Sequence, residues 1–556
     1  MSRFFKKYKI LFLILVIAAI LRLWNLAGNP PSLTSDEAAL GYNAYSILKT
    51  GRDEYGQFLP IIFKSFGDWK PGFYIYTDVP FVAIFGLNEW SLRLPGAISG
   101  IIAVWLIYLA VGELFRSKNF QFSIFNFQLL AALLLAISPW HIHFSRGAWE
   151  ANLALTLTLA GIYFFLRAIR DRSSWFIYAA IFFGLTLITY QGAKMSTGFV
   201  VLGLALLWFK KILDIPRKVL IMGLIIGTLA AMPAIMTLFN GKAGRLEVFS
   251  VFSYPRPPEY TQAILDQGDE KKGDLIYFLF HSEPFNFARG ILGRWMNHYS
   301  TRFLFFEGDW VHHNLGVPNA GVLLFMDIFL LIAGMIFLIR MKANPQTLFV
   351  WYWLLVSPLP SALSRDTVHA IRAFNEVIPL TIILACGAFF IISKWKKIII
   401  SLFIPFYLAN FIYFFDQYFI HAPIHNAKYW EYGYKEMVEK ISRVQKNYQQ
   451  IVVAQSYEQP YIYFLFYQKY DPATYQKQSK LVEGAAGKLD VGFIEKLDNI
   501  QFAWPDWSRD RGKKGVLFVG NTEQIPPADS RDSTKFKVDQ IKYPNGSIAF
   551  RLVEVL

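Results

Sequence analysis

Cysteine is nearly absent from this chain: Cys386 is the only one in 556 residues. No intramolecular disulfide can form, and neither a CxxC pair nor a thiolate metal centre exists, so packing must supply the stability. Also missing are the phosphate-cradling motifs GxxxxGK[ST] and GxGxxG, which leaves no sequence basis for a bound nucleotide. Charged residues are scarce at 17%, no repeat of about 20 to 50 residues is visible, and no low-complexity linker interrupts the chain. What is there is apolar. With 54% hydrophobic and 17% aromatic residues and a mean hydropathy of +0.33, the composition excludes a set of water-soluble domains and reads as a membrane protein. Acidic residues are the scarcer sign, 40 against 55 Lys and Arg, a net charge of +15. The cations sit in short clusters between apolar runs, the pattern of topogenic charge, so no nucleic-acid partner is expected.

Arg3, Lys6, Lys7 and Lys9 precede the apolar stretch Ile10 to Leu26, which is long for a signal peptide and reads as an uncleaved anchor with its N-terminus in the cytoplasm. Runs of spanning length follow near 93–114, 127–141, 151–168, 174–190, 196–209, 217–238, 320–340, 346–361, 374–393 and 396–418, giving eleven spans with 9–27. Alternate loops then carry Arg116 and Lys118; Arg167, Arg170 and Arg172; Lys210, Lys211, Arg217 and Lys218; Arg340 and Lys342; and Lys394, Lys396 and Lys397. Every inside loop is basic, as the positive-inside rule requires of a multi-pass plasma-membrane protein. "PGFYIYTDVPFVAIFG", residues 71–86, is short and broken by Asp78 and Pro80, and reads as a helix lying at the outer surface.

The expected architecture is an α-helical polytopic membrane domain over 1–420, with a first outer loop 28–92, a short outer turn 141–150 and a large outer loop 239–319. A small extracytoplasmic α/β domain over 421–556 follows. In that tail "EYGYKEMVEKISRVQ" has the periodicity of an amphipathic helix, "KKGVLFVGNT" reads as a strand, and "FKVDQIKYPNGSIAFRLVEV" as two strands about a turn.

The adjacent acids of "PPSLTSDEAALGYNAYSILKTG" stand where the chain first surfaces. Thr34 with Glu37 three residues on has capping-box spacing, and Leu40, Ala44, Ile47 and Leu48 share one helical face. That gives Glu37 a structural use and leaves Asp36 placed to take a proton from a hydroxyl at the outer surface. Cations gather on the same side: Lys70 before Pro71, Arg93 at the second span, and His141, His143 and Arg146 with Glu150 in "SPWHIHFSRGAWE". Lys194 of "QGAK", with neighbouring Tyr190, and Arg365, His369 and Arg372 of "SRDTVHAIRAFN" join them. Each alone is ordinary at a span end. Together they suit a lipid-linked phosphate, with Arg favoured for bidentate contact.

The ordered set "SDEAALGYNAYSILKTG", "KPGFYIY", "FGLNEWSLRLPGAISG" and "SPWHIHFSRGAWEANLAL" resembles the GT-C glycosyltransferases of the protein O-mannosyltransferase and aminoarabinose transferase type, over roughly residues 8 to 240. The resemblance implies a GT-C fold of about eleven transmembrane helices and an inverting transfer of sugar from a polyprenyl phosphate to a protein, lipid or glycan hydroxyl. It implies Asp36 as the catalytic acid of the first outer loop, with Lys70 and Arg93 near the donor phosphate. Arg146 and Arg372 are expected to help there, and His141, His143, Glu150, Tyr190, Lys194, Arg365 and His369 to line the site. Glu150 stands where such enzymes often have Asp. Glu37 is kept as a second catalytic candidate. No obligatory cofactor is expected, and a divalent metal beside Asp36, Glu37 and Glu150 is not favoured. The alternatives are a lipid-linked oligosaccharide ligase or polymerase of similar layout, favoured by the Arg- and His-rich loop 239–319, and a transporter, disfavoured by charges that gather at one face with no repeated halves.

Overall fold

A computed structural model describes residues 2–116, 124–239, 250–456, 458–482 and 492–556. Lys118 and Arg245 lie outside the described residues. Each of the eleven apolar runs contains a helix. Among the described residues, four helices are long and apolar enough to cross a membrane: Glu89–Leu114, Glu150–Ala168, Arg217–Thr237 and Phe374–Lys394. Others fall short of a hydrocarbon core of about 30 Å, since Trp175–Leu187 has 13 residues and Pro345–Val356 has 12, at ~1.5 Å each. The number of full crossings is therefore not fixed by helix length.

The chain divides into two compact units. One comprises Met1–Ile17, Ile102–Phe144 and Ala154–Phe414. It is helical, and its closest packing depends on glycine. Helices Asp327–Arg340 and Val377–Ile398 pack together. A Cβ on Gly334 would stand 1.9 Å from the Ile383 carbonyl oxygen, and one on Gly387 1.9 Å from that of Leu330. Only bare backbone fits such a crossing, as is common between membrane helices. Arg217–Thr237 is only 17% buried over its apolar window, so its hydrophobic surface is available to lipid.

The other unit comprises Ala18–Ile101, Ser145–Leu153 and Phe415–Leu556. Its centre is a six-stranded sheet in the spatial order Lys496–Leu497, Ile500–Ala503, Gln450–Ala454, Val516–Gly520, Ile548–Val555, Phe536–Lys542. Gln450–Ala454 pairs parallel with both neighbours, and the remaining pairings are antiparallel. The expected amphipathic helix is Tyr434–Val444, burying Met437, Val438 and Ile441, and the expected strand pair is Phe536–Lys542 with Ile548–Val555.

Residues of the segment 28–92 belong to the same core. Leu40, Tyr42, Phe63 and Tyr74 cluster with Tyr461, Phe464, Ile500 and Leu517. Helix Ser35–Thr50 shares this core, and Gly41 is what lets it approach: a Cβ there would come within 2.7 Å of the Phe466 ring. The helix stops at Gly51, whose φ of 66° is left-handed and needs no Cβ. The helix expected at 71–86 forms as Phe73–Phe85 and accommodates Pro80.

Candidate active site

The helix Ser35–Thr50 starts as its sequence spacing predicts. Thr34 Oγ1 accepts the Glu37 N–H at 3.3 Å, and Glu37 Oε2 accepts the Thr34 N–H at 3.2 Å. Glu37 does more than cap. Its Oε1 also accepts Arg93 Nε–H at 3.0 Å and the Ala148 N–H at 2.9 Å, and its Oε2 accepts Arg93 Nη2–H at 3.1 Å. Arg93 directs its other bonds at carbonyls of the 26–32 segment: Leu26 at 3.2 Å, Pro30 at 2.8 Å and Ser32 at 2.5 Å. Glu37 is 1% exposed and Arg93 fully buried. A bidentate ion pair fastens the start of the helix to the loop before it and occupies the lone pairs of Glu37 and the fork of Arg93.

One residue earlier the opposite holds. Asp36, at the start of the same helix, keeps its side chain 61% exposed while it forms an ion pair with Lys70. Lys70 lies on strand Asp68–Pro71, opposite Phe63 of strand Ile62–Ser65, with its ammonium 5.2 Å from the centre of the Phe66 ring. Burial disfavours the charged lysine, but the carboxylates of Asp36 and Glu150 outweigh that and hold its pKa above the ordinary lysine value. Glu150, the first residue of helix Glu150–Ala168, adds its charge to that of Asp36 at Lys70.

Arg146 is fully buried and donates to the carbonyls of Leu21, Trp24, Asn25 and Asn29, with Phe419 under its guanidinium at 4.8 Å. Like Arg93 it ties down the segment that leads into the Asp36 helix.

The remaining expected residues lie in the helical unit. His141 is buried and stacked on Phe374, and His143 Nε2 meets the Asn314 carbonyl at 2.9 Å, so both are packed into the protein. Tyr190 is partly buried beside Gly192, and Lys194 donates to Thr237 Oγ1 at 3.3 Å. Arg365 donates to the Tyr254 hydroxyl at 3.0 Å. Arg372 pairs with Asp366 at 2.5 Å, and His369 lies in the same cluster.

Two acids were missed. Glu54 is fully buried, accepts from Asn43 Nδ2 at 3.0 Å and is pushed up to about 8, first by burial. Glu431 accepts the Ser35 N–H at 2.7 Å and the Tyr463 hydroxyl, at the N-terminus of the Asp36 helix. Burial, then the neighbouring acids, raise its pKa well above the usual carboxylate range. Neither carries a sequence signal, because both acquire their partners by tertiary contact.

Three similarities bear on this arrangement. The family model described as dolichyl-phosphate-mannose-protein mannosyltransferase matches residues 70–236. A putative mannosyltransferase, YycA of Bacillus subtilis (strain 168), is 27% identical over 141 residues, 25% of this chain and 19% of that protein. The chain therefore matches about a fifth of the length of that relative. Crystal structures of ArnT from Cupriavidus metallidurans share the fold, in the apo state (TM-score 0.55, 13% identity, 98% of this chain and 97% of that one) and bound to undecaprenyl phosphate (0.55, 11%, 97% and 97%). Over residues 70–236 the chain is thus similar to the dolichyl-phosphate-mannose-protein mannosyltransferase family, and along nearly its whole length it shares the fold of ArnT.

Proposed function

We propose that this protein transfers a sugar, with inversion, from a polyprenyl phosphate to a hydroxyl acceptor at the outer face of the membrane, with Asp36 as the base. The observation that carries the reading is the division of labour between adjacent carboxylates: Glu37 is saturated by fixed donors, whereas Asp36 is exposed and ion-paired with Lys70. As the acceptor oxygen attacks the anomeric carbon, the bond to the donor phosphate oxygen breaks with its electron pair. The acceptor proton passes to Asp36 and the polyprenyl phosphate departs as an anion. Lys70, charged and 23% exposed, stabilises that anion, and Glu150 helps keep the lysine protonated. Undecaprenyl phosphate on ArnT, a protein of the same fold, supports a donor of this class.

Lys70→Ala should weaken binding of undecaprenyl phosphate by about 10- to 100-fold, the loss of one charge-assisted bond of ~1.5–3 kcal/mol, while Lys537→Ala on the sheet does not. Equal affinity in both variants, measured by titration in nanodiscs, would remove the phosphate site.

The proposal includes eleven crossings, an N-terminus in the cytoplasm and the sheet domain outside, because that count places every basic cluster on one side. Native Cys386 is buried, so introduced thiols report cleanly. Ser533→Cys should react with an impermeant maleimide on intact cells and Ser174→Cys should not; both positions are exposed on the protein. Labelling of Ser174→Cys alone would invert the topology.

A further inference from the structure

The sequence offered no thiolate metal centre, and the acids near Asp36 did not favour an obligatory metal. In the helical unit, however, a different set of side chains converges. His312, Asp366 and His369 each bring one ligand-type atom within 4.8 Å of the others. His312 Nε2 faces Asp366 Oδ1 at 3.8 Å, and the two imidazole rings are 4.6 Å apart between centres. Among the described residues His312 Nε2 and His369 Nδ1, both buried nitrogens, have no hydrogen-bond partner, and His369 is only 9% exposed. A buried imidazole nitrogen without a partner is a cost that folding normally avoids, and two of them beside a carboxylate call for an explanation.

The surroundings are built to hold these three residues in place. Asp309, buried, accepts the N–H groups of Val311 and His312 through Oδ1 at 3.1 and 2.9 Å, and the N–H of Ala370 through Oδ2 at 2.8 Å. One carboxylate thereby clamps both histidine-bearing segments together. The His369 N–H points at His298 Nε2 at 3.4 Å, and His298 is itself oriented by the Arg294 carbonyl at 2.8 Å. On the other side Arg372 Nη1 holds Asp366 Oδ2 at 2.5 Å, which leaves Oδ1 toward His312.

We infer that His312, Asp366 and His369 form a binding site for a divalent zinc-type metal ion. Two imidazole nitrogens and one carboxylate oxygen are a donor set that zinc accepts, with a fourth position left open. Tetrahedral bonds of ~2.0–2.1 Å would separate the ligand atoms by about 3.4 Å, so atoms now up to 4.8 Å apart close by about 1.4 Å at most on loading. Arg372 is then the outer hydrogen-bond partner that orients the ligating carboxylate, and Asp309 the one that fixes the ligand backbones. This assignment concerns a unit that does not contain Asp36, so it stands or falls apart from the base proposed above.

The test is metal binding by the purified full-length protein in nanodiscs after chelator treatment and re-addition of zinc sulfate. One zinc per chain should survive exhaustive dialysis, and cobalt substitution should give the visible bands of a four-coordinate nitrogen and oxygen site. His312→Gln and His369→Gln should each lower zinc affinity by more than 100-fold, and Arg372→Gln by about 10- to 100-fold. The cobalt spectrum is read on the wild-type protein and so does not depend on any variant folding. Absence of stoichiometric zinc and of the cobalt bands in the wild-type protein would overturn the site, as would zinc retained equally by well-folded His312→Gln and His369→Gln.

Discussion

Asp36→Asn is expected to lower sugar transfer by about 10²- to 10⁴-fold while leaving the melting temperature nearly unchanged. Asparagine keeps the shape and the ability to accept a bond from Lys70, but it cannot take a proton from the acceptor hydroxyl. Stability is spared because Asp36 is mostly exposed, and an exposed ion pair contributes roughly 0–1 kcal/mol. The affinity for undecaprenyl phosphate should be retained, since Lys70 remains and loses only a competing anion. Steady-state turnover, donor titration and thermal melting on one preparation separate these effects. An Asp36→Asn protein with wild-type turnover would mean that this carboxylate is not the base.

Glu37→Gln, one residue along, should fail in the opposite way. The sequence alone favoured a tolerant position, since glutamine can also complete a capping box. The structure changes that expectation, because Glu37 is the counter-ion of a fully buried guanidinium and the acceptor of the Ala148 N–H. Removing its charge leaves Arg93 buried without a counter-ion, a loss of about 3–5 kcal/mol. The consequence should be a sharply lower melting temperature and poor recovery from the membrane, with whatever folded protein remains still turning over. A stable Glu37→Gln protein that is inactive would restore Glu37 as a catalyst and contradict its assignment as a fastening.

The contrast shows what could and could not be read in advance. Capping spacing at Thr34 and Glu37, the strand pair around Pro544 to Gly546 and the apolar runs are local patterns, and they formed as the sequence indicated. The basic residues were found but their duties were not. Arg93 and Arg146 have the same sequence appearance as a phosphate-binding arginine, yet their forks are filled by Glu37 and by backbone carbonyls of residues 21–32. A guanidinium's choice between a ligand and the protein's own carbonyls is decided by burial, which hydropathy reports only for segments. His369 and Arg372 were singled out, but their partners His312, Asp309 and Asp366 come from two separate segments, and nothing in sequence spacing pairs them. The central strand Gln450–Ala454 escaped for a similar reason: five residues carry too little periodicity, and its parallel neighbours are far along the chain.

The most direct measurement is release of polyprenyl phosphate by the purified wild-type protein in nanodiscs, given radiolabelled undecaprenyl-phosphate sugars and a mixed hydroxyl acceptor pool from the cell envelope. The account predicts that at least one such sugar lipid is consumed, that label appears on the acceptor in equal amount with inverted anomeric configuration, and that Asp36→Asn does neither. A wild-type protein that binds undecaprenyl phosphate but releases none from any sugar lipid, or one that transfers with retained configuration, would contradict it.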